Sequence, residues 1–184
     1  MTAIVGLVHD GKVYIGGDSA NSNHIVNIID RSKVFIQRPS DLLIGVTGST
    51  RYSQIVEYHI SIDPCLALNF YSYLVTMFVP ALRDALKAHG FTKTESGQES
   101  ADYGSMLVGH KHNLVRIESD FSVQPYARGF DAIGSANSIA LGAMAALSPR
   151  LSPEKRITRA LEISAEFDPY VRPPFIIRNT GELS

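Results

Sequence analysis

The sequence predicts an α+β fold: stacked antiparallel sheets with helices on both outer faces. Three observations predict it. Short β-branched and aromatic runs separated by turn residues fill residues 3–47 and recur over 105–134, as antiparallel strands do. Apolar residues spaced three or four apart mark helices between and after those runs. Strands and helices also come in separate groups (four strands, two helices, several strands, two helices, one strand) rather than in strict alternation. The 184 residues suit one domain, 1–184, with no internal repeat and no linker to divide it.

The first strands are Ala3 to His9 and Val13 to Gly17, joined at Asp10-Gly11, a dipeptide that accepts the positive φ of a tight hairpin turn. A second pair, Lys33 to Gln37 and Leu42 to Thr47, flanks the turn Arg38-Pro39-Ser40-Asp41. After Gly48 the period changes. Ser49 caps a predicted helix carrying Tyr52, Ile55, Val56 and His59 on one face, ended by Asp63-Pro64. A longer helix is predicted from about Leu68 to His89, stopped by Gly90 and kinked or broken at Pro80. The polar stretch Thr92 to Asp102 reads as an exposed loop.

Strands resume at Ser105 to Gly109, Leu114 to Glu118 and Gly129 to Gly134. Ile139 to Leu147 reads as a helix with a small-residue face. Ser152-Pro153-Glu154 opens another helix, where serine caps, proline fits the first turn and glutamate suits the dipole. Pro174 to Arg178 forms the last strand.

Composition excludes several classes of function. Seventeen basic against 18 acidic residues leave a net charge of −1, without the basic excess that nucleic acid or an anionic membrane surface demands. The charged fraction is 19%, against about 25% in typical domains, which leaves surface for burial between subunits. Cys65 is the only cysteine and forms no intramolecular disulfide, in keeping with a reducing cytoplasm. The N-terminus lacks a basic segment followed by a long apolar run, so no export signal is expected. The apolar stretch Leu66 to Leu82 is interrupted by Asn69, Ser72, Thr76 and Pro80, which suits a buried or interface helix rather than a membrane span.

The chemically informative feature is the start of the chain. Removal of Met1 exposes Thr2, a residue that then holds a hydroxyl nucleophile and an α-amine together. That amine has an ordinary pKa of about 7.7–8.0, so it serves as a base near neutral pH, and threonine with its own amine is a recognised nucleophile–base pair. Taken singly, Asp18, Lys33, Gly48 and Ser135 each read as ordinary turn, strand or cap residues. His110-Lys111-His112 reads as a solvated turn rather than a metal site. Cys65 has no activating neighbour in sequence, and Phe70, Tyr71, Tyr73 and Phe78 read as packing. No metal or cofactor is expected.

Read together, the opening Thr2-Ala3-Ile4-Val5-Gly6-Leu7 and Asp10 to Ser19, with its Gly17-Asp18 step, resembles the start of proteasome β subunits and HslV-type N-terminal-threonine peptidases. Ser32-Lys33-Val34 is similar to that superfamily's catalytic lysine segment. Ile44 to Thr50 is similar to its strand-to-helix glycine turn, and Ala132 to Ser135 to its later Gly-Ser motif. The four motifs stand in family order at near-family spacing across most of the chain, as in a divergent bacterial or phage-like branch.

The resemblance implies a four-layer αββα N-terminal-nucleophile hydrolase sandwich of two antiparallel sheets. It implies a threonine-type endopeptidase with Thr2 as nucleophile and Lys33, held charged by Asp18, beside the Thr2 hydroxyl. Gly48 is implied as the backbone oxyanion donor, and Ser135 and Asp168 as supports of the α-amine. Val46 falls where the family shapes its substrate pocket. Also implied are a cytoplasmic homo-oligomeric ring, peptide or unfolded-protein substrates, and an ATP-dependent unfoldase as partner. Two departures stand out: the interval from Asp18 to Lys33 is one residue shorter than in HslV, and Val171 occupies the position of a supporting serine three residues after Asp168. A catalytically silent ring or scaffold subunit, or a hydrolase of small amides, are the alternative readings.

Overall fold

The computed structural model describes residues 2–23, 25–28, 31–65, 69–101 and 104–183. Met1, Leu66, Leu68 and Asp102, named above, lie outside the described residues.

The chain opens with β1 (Ala3–His9) and β2 (Lys12–Gly17), and both turn residues, Asp10 and Gly11, take the expected positive φ. Two short strands not expected from the sequence follow, β3 (Ala20–Asn23) and β4 (Ile25–Ile28), which among the described residues pair with each other alone. Next come β5 (Val34–Gln37) and β6 (Leu42–Val46), then α1 (Thr50–Tyr58), whose Ser49 cap accepts the Tyr52 N–H at 3.1 Å.

The long helix starts as α2 (Phe70–Tyr73), capped by Asn69, and continues as α3 (Val79–Ala88). Pro80 neither breaks nor ends it. Proline has no N–H to offer the preceding turn, and a five-residue π turn, Leu74–Phe78, absorbs the mismatch immediately upstream.

Residues 92–101 are a correction. They form a hairpin, β7 (Thr92–Glu95) and β8 (Gln98–Ala101), turned at Ser96 and Gly97, both at positive φ. Then come β9 (Met106–His110), β10 (Asn113–Ile117), the unforeseen β11 (Val123–Pro125), and β12 (Phe130–Gly134). Helices α4 (Asn137–Ala146) and α5 (Pro153–Phe167) precede the final strand β13 (Ile176–Asn179). Ser152 caps α5 by accepting the Lys155 N–H at 3.3 Å.

These strands form two main antiparallel sheets, β12-β1-β2-β13 and β11-β10-β9-β6-β5. Three apolar layers hold the stack. Ile4, Val13, Ile15 and Ile133 meet Val34, Leu43, Leu107 and Leu114 between the sheets. Ala3, Val5 and Leu7 face Ala140, Met144, Ile157 and Leu161 of α4 and α5. On the other side Leu42, Ile44 and Val46 face Ile55 of α1 and Leu82 and Leu86 of α3. The unbroken apolar run at the start of the chain is thus a strand buried on both faces, odd positions toward the helices and Ile4 toward the second sheet. Gly16 permits the close approach of α5, since a Cβ there would lie 2.4 Å from the Ile157 methyl. The order helix, sheet, sheet, helix is the αββα sandwich expected from the sequence. No helix is long and apolar enough to cross a membrane among the described residues.

Candidate active site

Antiparallel pairing explains why distant residues meet. β1 begins at Ala3, opposite Gly134 at the end of β12 on one side, while Ile4 pairs with Gly17 at the end of β2 on the other. Thr2, Asp18 and Ser135 therefore share one end of the four-stranded sheet. In the five-stranded sheet β5 starts where β6 ends, with Val34 opposite Gly45 and the Val46 N–H donating to the Lys33 carbonyl at 2.9 Å. Lys33 and Gly48 thus lie at the same end of the sandwich as Thr2.

The side chains converge accordingly. The Lys33 ammonium donates to Thr2 Oγ1 at 2.9 Å and to Asp18 Oδ1 at 2.8 Å. Asp18, whose side chain is fully buried, also accepts the Ala3 N–H at 3.0 Å and the Ala20 N–H at 2.9 Å. Its carboxylate is therefore satisfied by two backbone donors and one cation. Burial pushes the Lys33 ammonium below its ordinary value, and Asp18 only partly opposes this. The expectation that Asp18 simply holds the lysine charged thus understates the desolvation.

On the other side of Thr2, its backbone nitrogen donates to Ser135 Oγ at 3.3 Å, and Ser135 Oγ donates to Asp168 Oδ2 at 2.9 Å. Ser135 is not the cap of α4; Ala136 takes that position and leaves the serine hydroxyl to this chain of bonds. Asp168 terminates α5, and its second oxygen accepts the Tyr170 N–H at 2.9 Å. Val171 packs in the helix-side core, while its N–H donates to the Asp168 carbonyl at 3.1 Å. Asp168 keeps its place and its contacts without a hydroxyl at position 171.

A cavity of about 390 Å³ opens beside Thr2, walled by Thr47, Gly48, Ser49, Gly104, Gly134 and Ser135. Gly48 is exposed in that wall at φ +107°. Val46 is not part of the wall. Alternation along β6 turns it with Leu42 and Ile44 into the core beneath α1, only 2% exposed, so Thr47, Gly48 and Ser49 shape the opening.

Gly134, part of the later Gly-Ser motif, lies directly against Thr2. It sits at φ +100°, and a Cβ would lie 2.1 Å from the Thr2 carbonyl oxygen. Gly134→Ala is expected to cost about 1–3 kcal/mol through backbone strain alone and to part Ser135 from Thr2. A denaturation midpoint equal to the parent's, with unchanged labelling of Thr2, would contradict this.

His110, Lys111 and His112 close the β9–β10 hairpin, with Lys111 at positive φ. Phe70, Tyr73 and Phe78 are buried in the core, whereas Tyr71 is exposed.

No protein-family profile matches this sequence, and no curated protein matches it. Solved structures do. Thiobacillus denitrificans BPH superposes with a TM-score of 0.82 at 22% identity, over 97% of each chain, and its complex with epoxomicin scores 0.81. Eukaryotic HslV from Trypanosoma brucei gives 0.67 at 21% identity, over 97% of this chain and 98% of that one. Anbu, an ancestral beta-subunit from Yersinia bercovieri, gives 0.72 at 12% identity, over 97% of this chain and 81% of its own. With two antiparallel sheets between helical layers and these full-length superpositions, the chain has the proteasome-like N-terminal-nucleophile hydrolase fold.

Proposed function

We propose that this chain is a threonine-type endopeptidase that hydrolyses peptide bonds with Thr2 as nucleophile, once Met1 has been removed. The observation that carries the reading is the Lys33 ammonium, 2.9 Å from Thr2 Oγ1 and anchored on the buried Asp18. A cation there lowers the energy of the developing alkoxide and disfavours protonation of a neighbouring amine. In the chain as translated, Thr2 N is a peptide nitrogen, and only loss of Met1 makes it a base.

The steps follow from these positions. The Thr2 α-amine takes the proton of the Thr2 hydroxyl as the oxygen attacks the scissile carbonyl carbon. The tetrahedral oxyanion is received by the Gly48 backbone N–H, a kind of donor typically worth about 3–4 kcal/mol in the transition state. The C–N bond then breaks, the departing amine takes the proton from the Thr2 ammonium, and an ester remains on Thr2. Water attacks that ester with the amine again as base, which releases the acid and restores the hydroxyl. Ser135 and Asp168 orient the amine throughout, and no metal or cofactor enters any step.

By its likeness to HslV, the chain is assigned a homo-oligomeric ring in the cytoplasm, acting on peptides or on unfolded chains delivered by an ATP-dependent unfoldase.

The test is intact mass before and after incubation with an N-terminal-threonine-directed epoxyketone, a probe class suggested by the epoxomicin complex of Thiobacillus denitrificans BPH. Loss of the methionine mass and one adduct per chain, abolished by Thr2→Ala, is the expected result. Retained methionine with no adduct would turn the assignment to a silent ring or scaffold subunit. An adduct with turnover of small amides alone would make it an amidase.

A further inference from the structure

A second cavity of about 400 Å³ adjoins the first, and Thr47, Gly104 and Gly134 line both, so the cleft beside Thr2 leads directly into it. Its further walls are polar. Ser105 and Ser119 bring hydroxyls, Glu118 follows the end of β10, and Lys93 stands on β7.

Arg116 decides the charge of this wall, because its one guanidinium meets two carboxylates. Nε and one terminal nitrogen both donate to the buried Asp131, and that terminal nitrogen also donates to the Ala132 carbonyl at 2.8 Å. Glu118 receives only the other terminal nitrogen, on Oε1 at 3.1 Å. A carboxylate without solvent needs its counter-ion far more than a hydrated one does, so Asp131 holds the cation. Two negative charges about one positive leave a negative charge over. Glu118 presents it to the cavity, since its side chain is 33% exposed and its Oε2 accepts no hydrogen bond among the described residues. Lys93, the wall's cation, is engaged by Glu95 at 3.0 Å and in a further interaction. The neutral hydroxyls of Ser105 and Ser119 can each turn a lone pair toward a positive ligand.

We propose that this second cavity is a side-chain subsite for a basic residue, lysine or arginine, of a bound peptide, with Glu118 as the selecting charge. The inference rests on the reading that peptides bind at Thr2, and it adds which residues are preferred near the reacting bond.

The test is a binding measurement that needs no turnover. Fluorescein-labelled, capped hexapeptides of fixed apolar background carry one Lys or one Glu at each position in turn. Their affinity for the Thr2→Ala protein is read by fluorescence polarisation. At one position the Lys peptide is expected to bind about five- to tenfold more tightly than its Glu counterpart, attraction in one case adding to repulsion in the other. Glu118→Gln keeps the length of the side chain and an acceptor for Arg116 while removing the charge. Added to Thr2→Ala, it should bring the two peptides to within about twofold of each other at that position and leave the other positions unchanged. Equal binding of Lys and Glu peptides everywhere, a preference for Glu, a Lys preference that survives Glu118→Gln, or no binding of any peptide would each overturn the proposal. Failure of the hydrolase reading shows separately, as absence of an epoxyketone adduct on the parent protein while the charge preference persists.

Discussion

Lys33→Ala is expected to reduce peptide hydrolysis and epoxyketone labelling by about 10²–10⁴-fold, the span usual for one positioned proton-transfer or electrostatic group. The Nζ atom lies between Thr2 Oγ1 and Asp18 Oδ1, so its loss removes the only cation bonded to the nucleophile among the described contacts. It also leaves the Asp18 carboxylate buried with two backbone N–H donors and no positive partner. Lys33→Arg should not restore activity, because a planar guanidinium cannot occupy a point between two oxygens as an ammonium does. Near-parental turnover by either variant would remove Lys33 from the mechanism.

The same burial sets a pH signature. Desolvation lowers the Lys33 pKa in the folded state below its unfolded value, with Asp18 opposing. Below the folded pKa both states hold the proton, and folding bears the cost of a buried charge. Between the folded and the unfolded pKa the unfolded chain binds more protons, so the Lys33 contribution to stability rises with pH. Activity should fall across that same alkaline window as the cation beside Thr2 is lost. The parent protein should therefore show opposite trends in the two measurements, and Lys33→Ala should lack this contribution to stability. A parental activity limb at or above the ordinary lysine value would contradict it.

The second large effect lies between the sheets. Arg116 of β10 reaches across to Asp131 of β12, with Nε donating to Oδ2 at 2.8 Å and one terminal nitrogen donating to Oδ1 and to the Ala132 carbonyl. Asp131 is completely buried. Arg116→Met is expected to cost about 3–5 kcal/mol, because it strands a carboxylate in a low-dielectric layer. Arg116→Met combined with Asp131→Leu should recover much of that loss, since an apolar pair of similar volume meets no desolvation penalty. Urea denaturation of the two variants checks this, and a single-variant change below about 1 kcal/mol would refute the assignment. The pair also anchors β12 three residues before Gly134, so the single variant should weaken labelling of Thr2 as well.

Legibility in the sequence followed local chemistry. Asp10-Gly11 announced the first hairpin, Ser49 the start of α1, and Ser152-Pro153 the start of α5, because each signal acts within a few residues. The β7–β8 hairpin reads as a loop in sequence because Thr, Lys, Glu, Gln and Ser fill it. With little apolar surface to bury, period two leaves little trace, and Ser96-Gly97 between two four-residue runs was the signal available. β3 failed for a similar reason, its residues being largely Asn and Ser, which strands seldom favour. Pro80 marks a local disturbance of the helix, and its form, a π turn at Leu74–Phe78 rather than a break, has no residue signature of its own.

For the candidate site, the order of Thr2, Asp18, Lys33, Gly48, Ser135 and Asp168 along the chain was enough to nominate the residues and the fold. Strand alternation and turn chemistry are written locally, and family motifs are linear. What only the tertiary structure decided is which atoms meet: the lysine between Thr2 and Asp18, the serine bonded to Asp168, Val46 in the core rather than the cavity wall, and Arg116 locked on Asp131. Those outcomes depend on register across two sheets and on which face each side chain presents after packing. Both are settled by burial of residues far apart in the chain, so no short window of sequence contains them.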